Sequence, residues 1–415
     1  RIQYIVLNQV LLLMGLVMQR KSCQVMVKPT GSVCNLDCKY CFYLEKEKLY
    51  PDRKSHYRMS DEMLELFVKQ HIAAQDVDDV IFAWQGGEPT LMGIAFYRRA
   101  VELQQRYAAG KTIINTFQTN GILIDDAWAR FFRQQDFLVG ISIDGDAALH
   151  DEWRVTRAGK STHANVVRAL QCLVRHDVEF NTLTVVNGTN MHHPLLVYQF
   201  LKSIGSRYMQ FIPVVERRSA SNNSMLATPA DKQAAVMPWS VESLVFGQFL
   251  NAIFDVWLRQ DIGDIGIQLF EQTLAAWCGL PPQVCVFSPT CGSAFAMEMN
   301  GDVYNCDHFV YPQYALGNIK NTTLRSMNNS EQNMRFGDEK RRTMAQECHS
   351  CPWQFACHGG CPKHRFLPTD FGSFAQNYLC AGYQAFFAHT APAMKSMKAL
   401  YEKGISPSEI KSLFA

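Results

Sequence analysis

From Gln24 onward the chain alternates short runs rich in β-branched and aromatic residues with stretches whose apolar positions recur at helical spacing, the pattern of a parallel α/β layer. The runs predict strands at 24–28, 79–84, 112–118, 137–143, 178–186 and 208–212, and the stretches between them predict helices at 61–74, 96–108, 125–134, 163–175 and 194–203, the first with Ser60 as N-cap. About six βα units are too few for a closed eight-stranded barrel. Chemistry in parallel barrels sits at the C-terminal ends of the strands, and the polar motifs fall there. A cysteine loop follows the first strand, Gln85-Gly86-Gly87-Glu88-Pro89 the second, Thr119-Asn120-Gly121 the third and Asp144-Gly145 the fourth. After Val215 the composition shifts: 216–231 is rich in Ser, Asn and Arg and reads as a surface loop or linker. Helical runs at 241–259 and 267–277 lead to a cysteine-rich region between Cys285 and Cys380.

The 415 residues are 47% apolar and 19% charged, enough to bury a sizeable core. A net charge of +2 gives no electrostatic footprint for nucleic acid or an anionic membrane, so a substrate has to be recognised locally. Fourteen cysteines in short-spaced groups point to metal ligation in a reducing compartment, hence a cytoplasmic protein. The apolar run 5–18 is short, broken by Asn8 and Gln9, and poor both as a bilayer span and as a signal peptide. Residues 1–23 read as an N-terminal extension with the marks of an artefact, since Arg1 opens the chain.

Cys34-x3-Cys38-x2-Cys41 supplies three closely placed thiolates. A [4Fe-4S] cluster normally takes four, so three leave one iron open to something other than protein. A zinc knuckle or a redox pair made of Cys38 and Cys41 is the plainer alternative, but zinc wants a fourth ligand and no further cysteine follows until Cys172. The second region carries Cys285-x5-Cys291-x14-Cys306, then Cys348-x2-Cys351-x5-Cys357-x3-Cys361, then Cys380, enough for two four-thiolate sites. A zinc site made of Cys348, Cys351, Cys357 and Cys361 competes. Cys23, Cys172 and Cys278 take no role. Asp144 reads as a turn former, Ser142 as an alternating strand position and Arg154 as a solvated charge unless a ligand claims them.

The three-cysteine loop, with Tyr40 before its last cysteine, and Gly86-Gly87-Glu88 after the second strand resemble the motifs of radical S-adenosylmethionine (SAM) enzymes. The eight later cysteines resemble a SPASM domain. Val27-Lys28-Pro29-Thr30-Gly31, the run Cys41-Phe42-Tyr43-Leu44-Glu45-Lys46, Trp84 to Leu91, Phe117 to Gly121, Tyr304 to Val310 and Gly359 to Arg365 together resemble anaerobic sulfatase-maturating enzymes. The resemblance implies a partial (β/α)6 TIM-like barrel over 24–235, a helical linker over 236–284, a SPASM domain with two auxiliary clusters over 285–380 and a helical tail over 381–415.

It further implies three [4Fe-4S] clusters: an open one on Cys34, Cys38 and Cys41, one on Cys285, Cys291, Cys306 and Cys361, and one on Cys348, Cys351, Cys357 and Cys380. SAM would meet Gly86, Gly87, Glu88, Ser142 and Arg154, with Tyr43 and Val215 framing its adenine. The implied reaction oxidises a Cys or Ser in an unfolded or nascent sulfatase to Cα-formylglycine. A 5′-deoxyadenosyl radical would take a hydrogen atom from Cβ, Asp307 would take a proton, and an electron would leave to the auxiliary clusters. Implied partners are a polypeptide with a Cys/Ser-x-Pro-x-Arg core and an external electron donor such as flavodoxin or ferredoxin. Other readings are a SPASM maturase that crosslinks or epimerises a ribosomal peptide and, in a different class, a zinc-stabilised binding module.

Overall fold

The computed structural model describes residues 22–49, 57–219, 226–231, 234–370 and 372–413. The expected N-terminal extension lies outside these but for residues 22 and 23. The six anticipated strands form within two residues of their expected ends: β1 (Gln24–Lys28), β2 (Asp79–Trp84), β3 (Thr112–Thr119), β4 (Leu138–Ser142), β5 (Phe180–Val186) and β6 (Tyr208–Pro213). All pair in parallel in chain order. Helices cross between them, beginning with Asp61–Ala73, whose first turn is held by Ser60 Oγ accepting from the Met63 amide at 3.2 Å. On β2 the alternate residues Val80, Phe82 and Trp84 are buried, and Trp84 meets Phe67, Phe82, Phe96 and Tyr97 with ring centroids 5.4–6.1 Å apart. Truncating such a side chain costs about 3–5 kcal/mol.

The sheet does not stop at the six strands. A two-residue β7 (Gly266–Ile267) extends it beyond β6, and β8 (Ala294–Glu298), β9 (Asp302–Tyr304) and β10 (Ala315–Asn318) extend it beyond β1, giving the open order β10-β9-β8-β1-β2-β3-β4-β5-β6-β7. β8 runs parallel to β1 over five residue pairs, from Gln24 opposite Ala294 to Lys28 opposite Glu298. An open barrel leaves the edge of β1 unpaired, and an apolar strand from the second region satisfies it. The cysteine-rich region is therefore continuous with the barrel sheet. β11 (Arg365–Pro368) and β12 (Phe374–Asn377) form a separate antiparallel pair.

Helix Cys380–Glu402 packs on helix Ser243–Val256 with backbone against backbone. A Cβ on Gly382 would lie 2.0 Å from Ser243 O, one on Gly247 would lie 2.4 Å from Gly382 O, and Ser243 Oγ accepts from the Gly382 amide at 3.0 Å. This contact fixes the start of the helix and with it Cys380. Where 216–231 was expected as a surface loop, Glu216 and Arg217 are instead buried. Among the described residues no helix is long and apolar enough to cross a membrane.

Candidate active site

The loop after β1 is clamped to the loop after β2 by backbone hydrogen bonds, from Gly87 N to Gly31 O at 2.8 Å and from Glu88 N to Val33 O at 2.9 Å. A Cβ on Gly87 would lie 2.0 Å from Val33 O, so the bare backbone is required by the cysteine loop itself. Glu88 is fully buried, and its carboxylate accepts from Thr90 N (2.9 Å), Thr90 Oγ1 (2.6 Å), Thr119 Oγ1 (2.7 Å) and Asn120 N (2.8 Å). Asn120 Nδ2 in turn donates to Asn35 Oδ1 at 2.8 Å and lies 3.7 Å from Cys34 Sγ. The Gly-Gly-Glu and Thr-Asn-Gly motifs thus form one polar scaffold under Cys34. Burial, and for Cys34 also the charge of Glu88, pushes the Cys34 and Cys38 thiols up to about 12. Thiols held this way ionise when a metal supplies the compensating charge.

At the end of β4, Asp144 has no exposed surface. Its carboxylate accepts from Val185 N (3.0 Å), from Arg154 Nε (2.9 Å) and from the Tyr40 hydroxyl. The turn-former reading of Asp144 is corrected: it anchors Tyr40, which lies between the second and third cysteines of the loop, to β4 and β5. Arg154 is buried in this ion pair rather than solvated, with its guanidinium 5.5 Å from the centroid of the Tyr40 ring. Ser142 accepts from Gln118 Nε2 at 3.1 Å, and Gly140 leaves room for Gln118, whose Oε1 would lie 2.1 Å from a Cβ there.

The eight later cysteines gather in two groups. Burial, with the charge of Cys361 beside them, raises the Cys285, Cys291 and Cys306 thiols, and Cys285 acts in the same direction on Cys291 and Cys306. Cys348, Cys351, Cys357 and Cys380 line a single cavity. Cys361, the fourth ligand of the competing zinc reading, belongs to the first group.

Two buried cations accompany these thiols. Lys340 Nζ donates to Cys285 O (2.7 Å) and Val286 O (2.9 Å), and Arg365 donates to Gly359 O (3.0 Å) and His358 O (2.9 Å).

Between the barrel and the second region lies an ion pair. Lys28, at the end of β1 and almost wholly buried, holds Asp307 Oδ1 at 2.5 Å and stands 3.6 Å from the centroid of the Tyr43 ring. The Tyr43 hydroxyl donates to buried Glu298, the residue opposite Lys28 on β8. Burial works to raise the Asp307 carboxyl, but Lys28, followed by His308, outweighs it and holds the group below the usual carboxylate range. Asp307 directly follows Cys306, and the neighbouring His308 ring lies 3.8 Å from Cys361 Sγ. A pocket opens beside these residues, bounded by Phe42 and Lys46 from the cysteine loop, Val215 and Glu216 after β6, and His308, Tyr311 and Lys363 from the second region.

A model of the Radical SAM superfamily matches residues 29–201, and a model of the SPASM iron-sulfur cluster-binding domain matches residues 285–352. The serine-type anaerobic sulfatase-maturating enzyme of Bacteroides thetaiotaomicron is 47% identical over 380 residues, which cover 91% of this chain and 92% of that protein. The cysteine-type enzyme of Clostridium novyi is 32% identical over 372 residues, covering 88% and 95%. Native anSMEcpe, solved with bound AdoMet and the Cp18Cys peptide, superposes with a TM-score of 0.78 at 32% identity, covering 91% of this chain and 98% of that one. The chain belongs to the anaerobic sulfatase-maturating enzymes.

This sulfatase-maturating enzyme is accordingly a radical SAM protein, with iron-sulfur clusters and SAM as its cofactors. Lys28, Asn120, Asp144 and Arg365 stand in the sequence motifs, which do not by themselves give the bracing role that the structure shows, and Glu298 and Lys340 stand outside the motifs altogether. Lys28 and Asp144 carried a readable signal, a charged residue ending an apolar run at the site end of a parallel strand. Lys340 and Arg365 sit among other basic residues, and only the tertiary fold shows that they are buried.

Proposed function

We propose that this enzyme oxidises a serine, and also a cysteine, in an unfolded sulfatase polypeptide to Cα-formylglycine, with Asp307 as the proton acceptor. The observation that carries the reading is the ion pair of Lys28 with Asp307, beside Cys306 and next to a pocket bounded by both the first cysteine loop and the second region. Cys34, Cys38 and Cys41 would hold the open cluster, and the two later groups of cysteines the auxiliary clusters. When bound, SAM at the open cluster supplies abstraction of a hydrogen atom from the substrate Cβ.

The chain's own residues then handle the rest of a two-electron oxidation. Lys28 keeps Asp307 ionised, so its carboxylate can take the proton of the substrate hydroxyl or thiol. The remaining electron would be taken up by the auxiliary iron-sulfur clusters that the two later groups of cysteines would hold, and with its loss the carbon–heteroatom bond becomes double. A thioaldehyde formed from cysteine exchanges sulfur for oxygen with water. The greater similarity to a serine-type relative than to a cysteine-type one supports serine as a target. Cysteines grouped at metal-ligand spacing suit a reducing, cytoplasmic setting, where a flavodoxin- or ferredoxin-like protein would be the electron donor.

The test is anaerobic incubation of the reconstituted enzyme with SAM, reductant and peptides carrying Ser-x-Pro-x-Arg or Cys-x-Pro-x-Arg, read by mass spectrometry. Both peptides should yield the same aldehyde. A crosslinked or epimerised peptide, or SAM cleavage with neither peptide oxidised, would overturn the proposal.

A further inference from the structure

Away from the cysteine motifs, one group of side chains has the spacing of a single-ion site. Asp126 opens helix Asp126–Gln134, Cys172 lies in the last turns of helix His163–Arg175, and His176 caps that helix. Asp126 Oδ1 is 3.2 Å from Cys172 Sγ and 2.8 Å from His176 Nε2, and all three ligand atoms lie within 4.8 Å of one another. Among the described residues no other group of three or more His, Cys, Asp or Glu side chains is so arranged. Cys172 and His176 are four apart, so one helix face presents both, while the carboxylate comes from the other helix.

We propose that Asp126, Cys172 and His176 form a zinc site on the outer helical layer of the barrel. One sulfur, one imidazole nitrogen and one carboxylate oxygen suit zinc better than magnesium or calcium, which favour all-oxygen sites. Bond lengths of about 2.0–2.3 Å place neighbouring donors of a tetrahedral zinc site about 3.2–3.8 Å apart, so Asp126 has to open from its two partners by about 0.3–0.5 Å, while the Cys172 and His176 donor atoms already lie within 4.8 Å of each other. In the structure the Cys172 thiol and Arg175 Nη2, the latter at 3.1 Å, donate to Asp126. Zinc binding would release the thiol proton and free Arg175, whose side chain is 59% exposed and can move into water without burying its charge. The thiolate and carboxylate together neutralise the dication, and water completes the fourth position. The ion would tie the start of one barrel helix to the end of another.

The test uses the full-length, cluster-loaded enzyme, equilibrated anaerobically with zinc sulfate, with zinc and iron counted together and the zinc environment read at its X-ray absorption edge. Wild type should hold about one zinc with a single sulfur among nitrogen and oxygen ligands. His176→Gln at the rim and Cys172→Ser should each weaken zinc binding at least about tenfold, with iron content and SAM cleavage unchanged. His176→Gln guards against misfolding of the variant at the buried cysteine. Zinc absent from wild type, zinc bound equally well by both variants, or a four-sulfur shell marking occupation of the cluster cysteines would each overturn the site.

Discussion

Lys28 and Asp307 meet inside the protein with a tyrosine ring against the ammonium, and removing either partner leaves a charge with little water to receive it. Lys28→Met should therefore damage substrate oxidation while leaving the polar groups that brace the first cysteine loop, Glu88, Asn120 and Asp144, in place. The expected result is formylglycine reduced at least about tenfold relative to 5′-deoxyadenosine, measured in the same reaction. Equal losses of the two products would assign Lys28 to general folding instead. Elsewhere, burial pushes the Glu271 carboxyl up to about 7 despite a hydrogen bond with Tyr208. A raised folded-state value means that the carboxyl's contribution to stability is complete below its unfolded value of 4.5, falls as pH rises, and is lost above about 7. Glu271→Gln should remove that slope, so the variant's melting temperature should gain on wild type between pH 5 and pH 8, by an effect on the order of 1–3 kcal/mol. Parallel pH curves for the two proteins would contradict the assignment.

At the scale of elements, a glycine joins two loops that each carry a motif. Because a Cβ on Gly87 would meet Val33 O at 2.0 Å, Gly87→Ala should displace the cysteine loop. Iron should fall by about a third, matching one of three clusters, and SAM cleavage should be lost. Full iron and normal cleavage would show that the loop can yield. Strands β1 to β6 were readable because each alternates or runs apolar between turn residues and is followed by a helical stretch. β7 to β10 were not: they are two to five residues long, and β8 is a strand because β1 offers it an edge. Gly247 and Gly382 were silent for the same reason, since a glycine in a helical run signals close packing only once its partner helix is known. The cysteines of the candidate site could be read directly, because thiolate chemistry constrains residue type and spacing. The buried charges that brace them could not, because burial is a property of the assembled chain.

Across the whole molecule, the sheet runs unbroken from the barrel into the cysteine-rich region, so the first cysteine loop and the two later thiol groups belong to one frame. The group of Cys348, Cys351, Cys357 and Cys380 closes where helix Cys380–Glu402 docks. Cys357→Ser protein that stays soluble and keeps its first cluster should still cleave SAM but yield less formylglycine per 5′-deoxyadenosine. An unchanged ratio, with iron analysis showing the cluster of this cysteine group gone, would make that cluster structural. The central claim is that hydrogen abstraction and the later loss of a proton occur on separate parts of this frame, the second at Asp307. Asp307→Asn keeps the shape of the side chain and removes its basicity, so formylglycine and 5′-deoxyadenosine, quantified together from one anaerobic reaction of this variant, test it most directly. Formylglycine should fall at least about 10²-fold while 5′-deoxyadenosine persists. Formylglycine formed at the wild-type rate would contradict it.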